Sequence, residues 1–342
     1  MLRKQFFFTL TDSLAFELMQ ANAEGKEVTA LKKEVDEILA IEDDDPLKQQ
    51  QAVGVFEKIQ ALPIKDGYLY VEPSTLEEIR RERPEAQLVK EKKFEDEFLY
   101  DKLYGAWLGR CAGCLLGKPI ELWHRERLVG LAKDTDNYPF ARFISSDLPD
   151  DIRKKYEISD RLPISVYGTN VVAWINNVEN MPEDDDTNYT LLNLKILEDY
   201  GLSFTSDDVA ECWLENLPIL HVFTAERIAY RNLANAVFPP ISASHCNAYR
   251  EMIGAQIRAD IFGYVAPGNP TLAAEFAFKD AAISHTKNGI YGEMFVAAML
   301  AVAAVTDDIE IIINAGLSEI PAKSRLTEKI CEVLSWKKDG IN

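Results

Sequence analysis

The sequence lacks an excess of positive charge. Lys and Arg number 37 against 56 Asp and Glu, for a formal net charge of −19. A chain that binds nucleic acid or a membrane surface normally presents a basic face, so neither partner is expected. A phosphate-bearing small molecule is still compatible, because helix N-termini or bound cations neutralise phosphate locally. The sequence also lacks a long apolar run. The longest, MFVAAMLAVAAV at Met294 to Val305, falls short of the roughly 20 residues that a membrane helix needs. Near the start, Thr11, Asp12 and Ser13 break an apolar patch and no small-residue cleavage site follows, so no signal peptide is expected. Cysteine is scarce and odd in number, five in 342 residues. That fits a reduced compartment better than a disulfide framework, and the expected location is cytoplasmic. Cys111 and Cys114 form a lone C-x-x-C with no second pair, which reads as two small buried thiols on a helix.

What is present is helical pattern. The length allows one large domain with an extension, or two domains. Residues 1–97 are rich in Glu, Lys and Gln and read as a mainly helical N-terminal extension. Within them, VEPSTLEEIRRERPEA reads as a capped helix opened by Ser74 or Thr75, with Glu77 or Glu78 in a capping box and Pro84 as the stop. Further on, the spacing predicts helices at 95–115, 168–178, 187–200, 206–216, 223–235, 248–263, 270–284, 289–305 and 322–338. The stretches 101–116 and 289–305 are rich in Ala and Gly, and both are expected in the centre of a helical bundle. No set of alternating strands is visible, so the expected fold class is mainly α. Trp107, Trp174 and Trp213 are expected in the core, and TAERIAYRN after His221 reads as a surface or interhelical charge network.

Two acidic triplets stand out. Asp43, Asp44 and Asp45 precede Pro46 and a polar QQQ segment, and read as a charged loop. Asp184, Asp185 and Asp186 lie in MPEDDDTNYT, just before an amphipathic helix with Leu191, Leu192, Leu194 and Leu197. Carboxylates at a helix N-terminus are favoured by the dipole, and a solvated acidic cap is one reading of them. Carboxylates that converge on one point repel, and a hard divalent cation relieves that repulsion, which is the other.

The surroundings of the second triplet add to it. Upstream is YGAWLGRCAGCLLGKPIE, with Gly113, Leu115, Gly117, Pro119 and Glu121. Downstream are Gly254 and Arg258 in a G-x-x-x-R segment. Then come Asp280, Ala281, Ser284, His285, Gly289 and Gly292, before a Gly- and Ala-rich helix. In this order, over roughly residues 98–305, these stretches resemble the ADP-ribosylglycohydrolase family, the all-α hydrolases related to dinitrogenase-reductase-activating glycohydrolase. The resemblance implies an all-helical ADP-ribosylglycohydrolase-like bundle over 98–342, following the extension. It implies Mg²⁺, two ions in the family, with Asp184, Asp185 and Asp186 as ligands. It implies Glu121 and Asp184 as the catalytic carboxylates, and His285, Arg258, Gly289 and Tyr291 as substrate contacts. The implied reaction is Mg-dependent hydrolysis of the N- or O-glycosidic bond of an ADP-ribosylated protein or small molecule.

Two departures accompany the resemblance. The family's G-D-A-L-G aspartate is Cys114 here. Its late Gly-rich Asp-x-Asp run has no counterpart after His285, where Asp307, Asp308, Glu310 and Glu319 lie in other contexts. The expectation is a truncated chain or one with half a metal site, and the alternative function is a catalytically impaired member that binds ADP-ribose or acts structurally. Terpenoid synthases would need a further carboxylate after Asp185 and Asp186, where Tyr189 stands. HD-type phosphohydrolases need an adjacent His-Asp pair, which the sequence does not contain.

Overall fold

The computed structural model describes residues 9–42, 45–84 and 95–340. It is 63% helical and 3% strand, which makes the fold mainly α as expected. The chain forms two compact units, one of residues 1–93 with 189–342 and one of residues 94–188.

In the first unit the centre is a pair of alanine-rich helices, Pro270–Ala281 and Asn288–Ala303, packed along one another. Ala273, Ala277, Ala281, Ala297, Ala298 and Ala301 are buried, with Phe204, Phe262, Phe276 and Trp213 around them. Small side chains let helix axes approach closely, and the aromatic rings each bury a large apolar area beside them. The expected burial of 289–305 is thus met.

The described N-terminal stretches belong to this unit. Helix Leu76–Glu82 starts at Thr75, whose hydroxyl accepts from the Glu78 amide, and it ends before Pro84 as its sequence foretells. Glu17 and Glu24 meet Arg250 at 2.6 and 2.8 Å, and Glu72 meets Arg325 at 2.6 Å, all with the carboxylates buried. Burial acts to raise the Glu24 carboxyl, but Arg250, Lys287 and a hydrogen bond with Glu251 together outweigh it and hold it down at about 2.

Of the first acidic triplet, Asp43 and Asp44 lie outside the described residues. Asp45 is the N-cap of helix Pro46–Ala61, and its side chain accepts from the Leu47 amide at 2.8 Å. Asp45→Ala should therefore cost about 1 kcal/mol. A urea midpoint that does not move would refute this capping role.

The second unit has its own core of Leu131, Ile144, Tyr156, Ile158 and Trp174. Two sequence expectations fail here. The predicted helix 168–178 is instead the second strand of a hairpin, Arg161–Val166 paired antiparallel with Thr169–Val171, followed by a short 3₁₀ turn. The hairpin turns on Tyr167 and Gly168, with φ of 50° and 79°. Positive φ at both central positions suits the right-handed twist of a two-residue hairpin, and the flanking valines favour strand.

The second failure is the burial of 101–116. In helix Asp96–Gly117 only Cys114 is buried, Trp107 and Cys111 are half-buried, and Gly105, Gly109, Gly113 and Gly117 have no atom near the position of a Cβ. Four glycines contribute no side-chain area, so this face gains little from leaving water. In the first unit, the predicted helix 248–263 is broken into a 3₁₀ segment, Ile253–Arg258, and a short helix, Asp260–Tyr264. Gly254 there sits against the Glu226 carboxylate, where a Cβ would collide. Among the described residues no helix is long and apolar enough to cross a membrane.

Candidate functional site

The second acidic triplet and the end of helix Asp96–Gly117 meet within the second unit. On that helix Arg110 and Cys114 are four residues apart, and Lys118 follows four later as its C-cap, donating its amide to the Cys114 carbonyl. Side chains at this spacing share one face. Helix Asp185–Tyr200 begins at the triplet. Asp184 precedes it as a cap: its carbonyl accepts from Asn188 at 2.9 Å, and its Oδ1 accepts from the Asp186 amide at 3.0 Å. The capping reading is therefore correct for one oxygen of Asp184.

The other oxygen does something else. Asp184 Oδ2 is ion-paired to the Lys118 ammonium, with both side chains largely covered. Arg110 donates to the Asp186 carbonyl at 2.8 Å and lies 3.4 Å from its carboxylate. Tyr167, at the hairpin tip, donates its hydroxyl to Asp185 Oδ1 and accepts from the Asp185 amide, both at 2.9 Å. Its ring lies 4.7 Å from the Lys118 ammonium. Each aspartate thus has its own protein partner.

Glu121 follows the 3₁₀ turn Lys118–Ile120 and is exposed. Desolvation by the surrounding protein, then repulsion from Asp184, raises its carboxyl above the usual range. Burial, then Asp184 and Asp186, pushes the Cys114 thiol well up. Donor atoms of Cys114, Asp184 and Asp186 lie within 4.8 Å of one another, and among the described residues this is the group able to hold a metal ion. Asp185 is outside it, turned to Tyr167.

A magnesium pair is a poor fit to this donor set. Magnesium requires near-octahedral hard oxygen ligands, and one of the three groups offered is a soft thiol. An ammonium already occupies one carboxylate. The later acids have other employment: Asp308 caps helix Ile309–Leu317, and Glu319 is buried against Arg83 and Thr271.

The remaining residues expected at a substrate lie in the interior of the first unit. Arg258 is fully buried. It reaches Asp280 at 2.5 Å, Glu226 at 2.9 Å and Glu293 at 3.6 Å, and lies 5.5 and 5.0 Å from the rings of Tyr189 and Trp213. The charged residues of TAERIAYRN thus include one member of an interhelical network, Glu226. His285 is also buried. Burial and the Arg258 charge lower its ring well below the usual value, and Nδ1 sits 2.8 Å from the Ser284 hydroxyl. Gly289 is pressed between the Arg250 carbonyl and the His285 ring. Tyr291 is buried and donates to the Pro73 carbonyl. All four are buried among protein groups.

Glu293 completes that network, with both oxygens buried and lacking a hydrogen-bond donor. Burial, then repulsion from Asp280, raises its carboxyl well above 4.5. A carboxyl raised on folding binds its proton more tightly in the native state. Its stabilisation is full below pH 4.5 and is lost as pH rises through the folded-state value. Glu293→Gln keeps a neutral side chain of the same shape, so the melting temperature of the variant should fall less than that of the wild type above pH 4.5. Parallel profiles would show that Glu293 does not titrate in this way.

Sequence reading missed Arg110, Lys118 and Tyr167. The four-residue spacing of Arg110, Cys114 and Lys118 was there to be read, and Tyr167-Gly168 between strand-forming residues is a hairpin signal. The ADP-ribosylglycohydrolase family profile matches residues 95–341. No curated protein and no solved structure matches the chain.

Proposed function

Since this chain belongs to the ADP-ribosylglycohydrolase family, we propose that it hydrolyses the N- or O-glycosidic bond joining ADP-ribose to a protein or small-molecule acceptor. The observation that carries the reading is the family match together with the meeting of Glu121 and the Asp184–Asp186 triplet in one unit. In the reaction, water adds its oxygen to the anomeric carbon, and the bond from that carbon to the acceptor breaks. The acceptor takes a proton and water loses one. Glu121, whose carboxyl is raised above the usual range by desolvation and by Asp184, would give or take that proton. Asp184, fixed by Lys118 and by the helix start, supplies negative charge near the positive charge that develops on the ribose ring.

The family is metal-dependent in general. Cys114, Asp184 and Asp186 would hold an ion here, and an ion would supply Lewis-acid activation of water or sugar hydroxyls. Because the set departs from what magnesium needs, no step is assigned to it. The same departure favours a second reading, a member that binds ADP-ribose without turnover. Free thiols throughout the described residues suit the cytoplasm as the place of action. The test is release of ADP-ribose from ADP-ribosyl-arginine, ADP-ribosyl-serine and an O-acyl-ADP-ribose by the full chain. Binding of ADP-ribose with no release from any of the three would select the second reading.

A further inference from the structure

We propose that the Lys118 ammonium is the resident cation of this site, taking over at Asp184 the place of a divalent ion. The inference rests on the functional reading only in locating the site. Its support is the disagreement between the donor set and the magnesium pair that the family resemblance implies.

Three observations converge. Lys118 and Asp184 are 66 residues apart in sequence, yet their charged groups are in direct contact and their side chains are only 20% and 12% exposed. A surface ion pair contributes little and wanders. One this covered has a fixed geometry. The ammonium also has a second holder, the face of the Tyr167 ring at 4.7 Å, and the same tyrosine grips Asp185 through its hydroxyl. Finally, Arg110 donates to the Asp186 carbonyl at 2.8 Å and brings its charge to 3.4 Å from the Asp186 carboxylate. One helix face therefore delivers two cations to the triplet, and between them stands Cys114, a thiol where the family has a carboxylate.

These features act in one direction. Two fixed positive charges relieve the mutual repulsion of the aspartates, which is the job a bound ion would do. A divalent ion entering at Cys114, Asp184 and Asp186 must displace the ammonium from Asp184 and then tolerate it nearby. It would gain a soft ligand in return, which suits magnesium and manganese poorly. Lys118 is thus a positioning residue. It holds the Asp184 carboxylate in place through the ion pair, and it keeps hard cations out.

Mn²⁺ titration followed by electron paramagnetic resonance tests this on the full chain, using Mn²⁺ alone as the probe. The wild type should show no site tighter than about 1 mM, and Lys118→Met should bind at least about tenfold more tightly, a change of about 1.4 kcal/mol. If the methionine variant loses its cooperative melt, Lys118→Gln takes its place. Lys118→Arg, which keeps the charge, should stay as weak as the wild type. Micromolar Mn²⁺ binding by the wild type would overturn the proposal. So would weak binding that neither neutral variant improves. The functional reading fails separately: absence of ADP-ribose release leaves the titration result standing, and release that requires added Mn²⁺ upholds the function while sinking the role given to Lys118.

Discussion

Arg258→Met is expected to lower stability by about 3–5 kcal/mol, the range seen when one partner of a buried ion network is removed. The physical reason is what remains behind. Glu226, Asp280 and Glu293 surround the guanidinium at 2.9, 2.5 and 3.6 Å, and all are buried. Without the arginine, carboxylates crowd together out of water with no cation, and each must either stay charged at high cost or take up a proton. Methionine fills much of the volume, so the loss is electrostatic rather than a cavity. Urea denaturation followed by circular dichroism measures it. A double variant separates this account from a packing effect. Adding Asp280→Asn to Arg258→Met removes one uncompensated charge and should recover part of the lost stability. A shift below about 1 kcal/mol for the single variant, or no recovery in the double, would show that the network does not hold the core in this way.

Glu121→Gln is expected to slow ADP-ribose release by about 10²–10⁴-fold, the usual worth of a positioned proton donor or acceptor. Its melting temperature should hardly move. Glu121 is exposed, and surface substitutions away from caps and buried networks change stability by about 0.5 kcal/mol or less. Glutamine keeps the size and most hydrogen bonds but cannot exchange a proton. The informative quantity is kcat, with KM little changed, because the interaction lost is one made in the transition state. A variant with near wild-type kcat would remove Glu121 from the proton transfer and leave Asp184 as the remaining carboxylate for it.

These two residues mark how far sequence reaches. Glu121 was legible because it ends a compact motif, G-x-L-x-G-x-P-x-E, in which all the informative positions are local. Arg258 is legible as a position, but its surroundings are not. A lone arginine in G-x-x-x-R fits a substrate phosphate as well as a buried acid. What distinguishes the two is whether Glu226, Asp280 and Glu293 fold around it, and those residues are 22 to 35 positions away along the chain.

The acidic triplets show the same division more sharply. As sequence they are identical. Asp45 caps a helix and makes a local bond two residues away. Asp184 also makes a local bond two residues away, and then a second one to Lys118 across 66 residues. Only the second can make a site, and nothing in the local pattern encodes it.

By itself the sequence determined the helical class, most helix positions between residues 187 and 338, the capped helix at Thr75, and the stretches that identify the family. All of these depend on periodicity, capping or spacing within a few turns, where the chain's own geometry fixes which side chains are neighbours. Tertiary structure alone decided that Tyr167 grips Asp185 from a hairpin, that helix Asp96–Gly117 shows most of its surface to solvent, and that an ammonium stands at the triplet. Those outcomes depend on which distant segments meet, and a contact between segments is set by the packing of the whole unit rather than by the residues on either side of it.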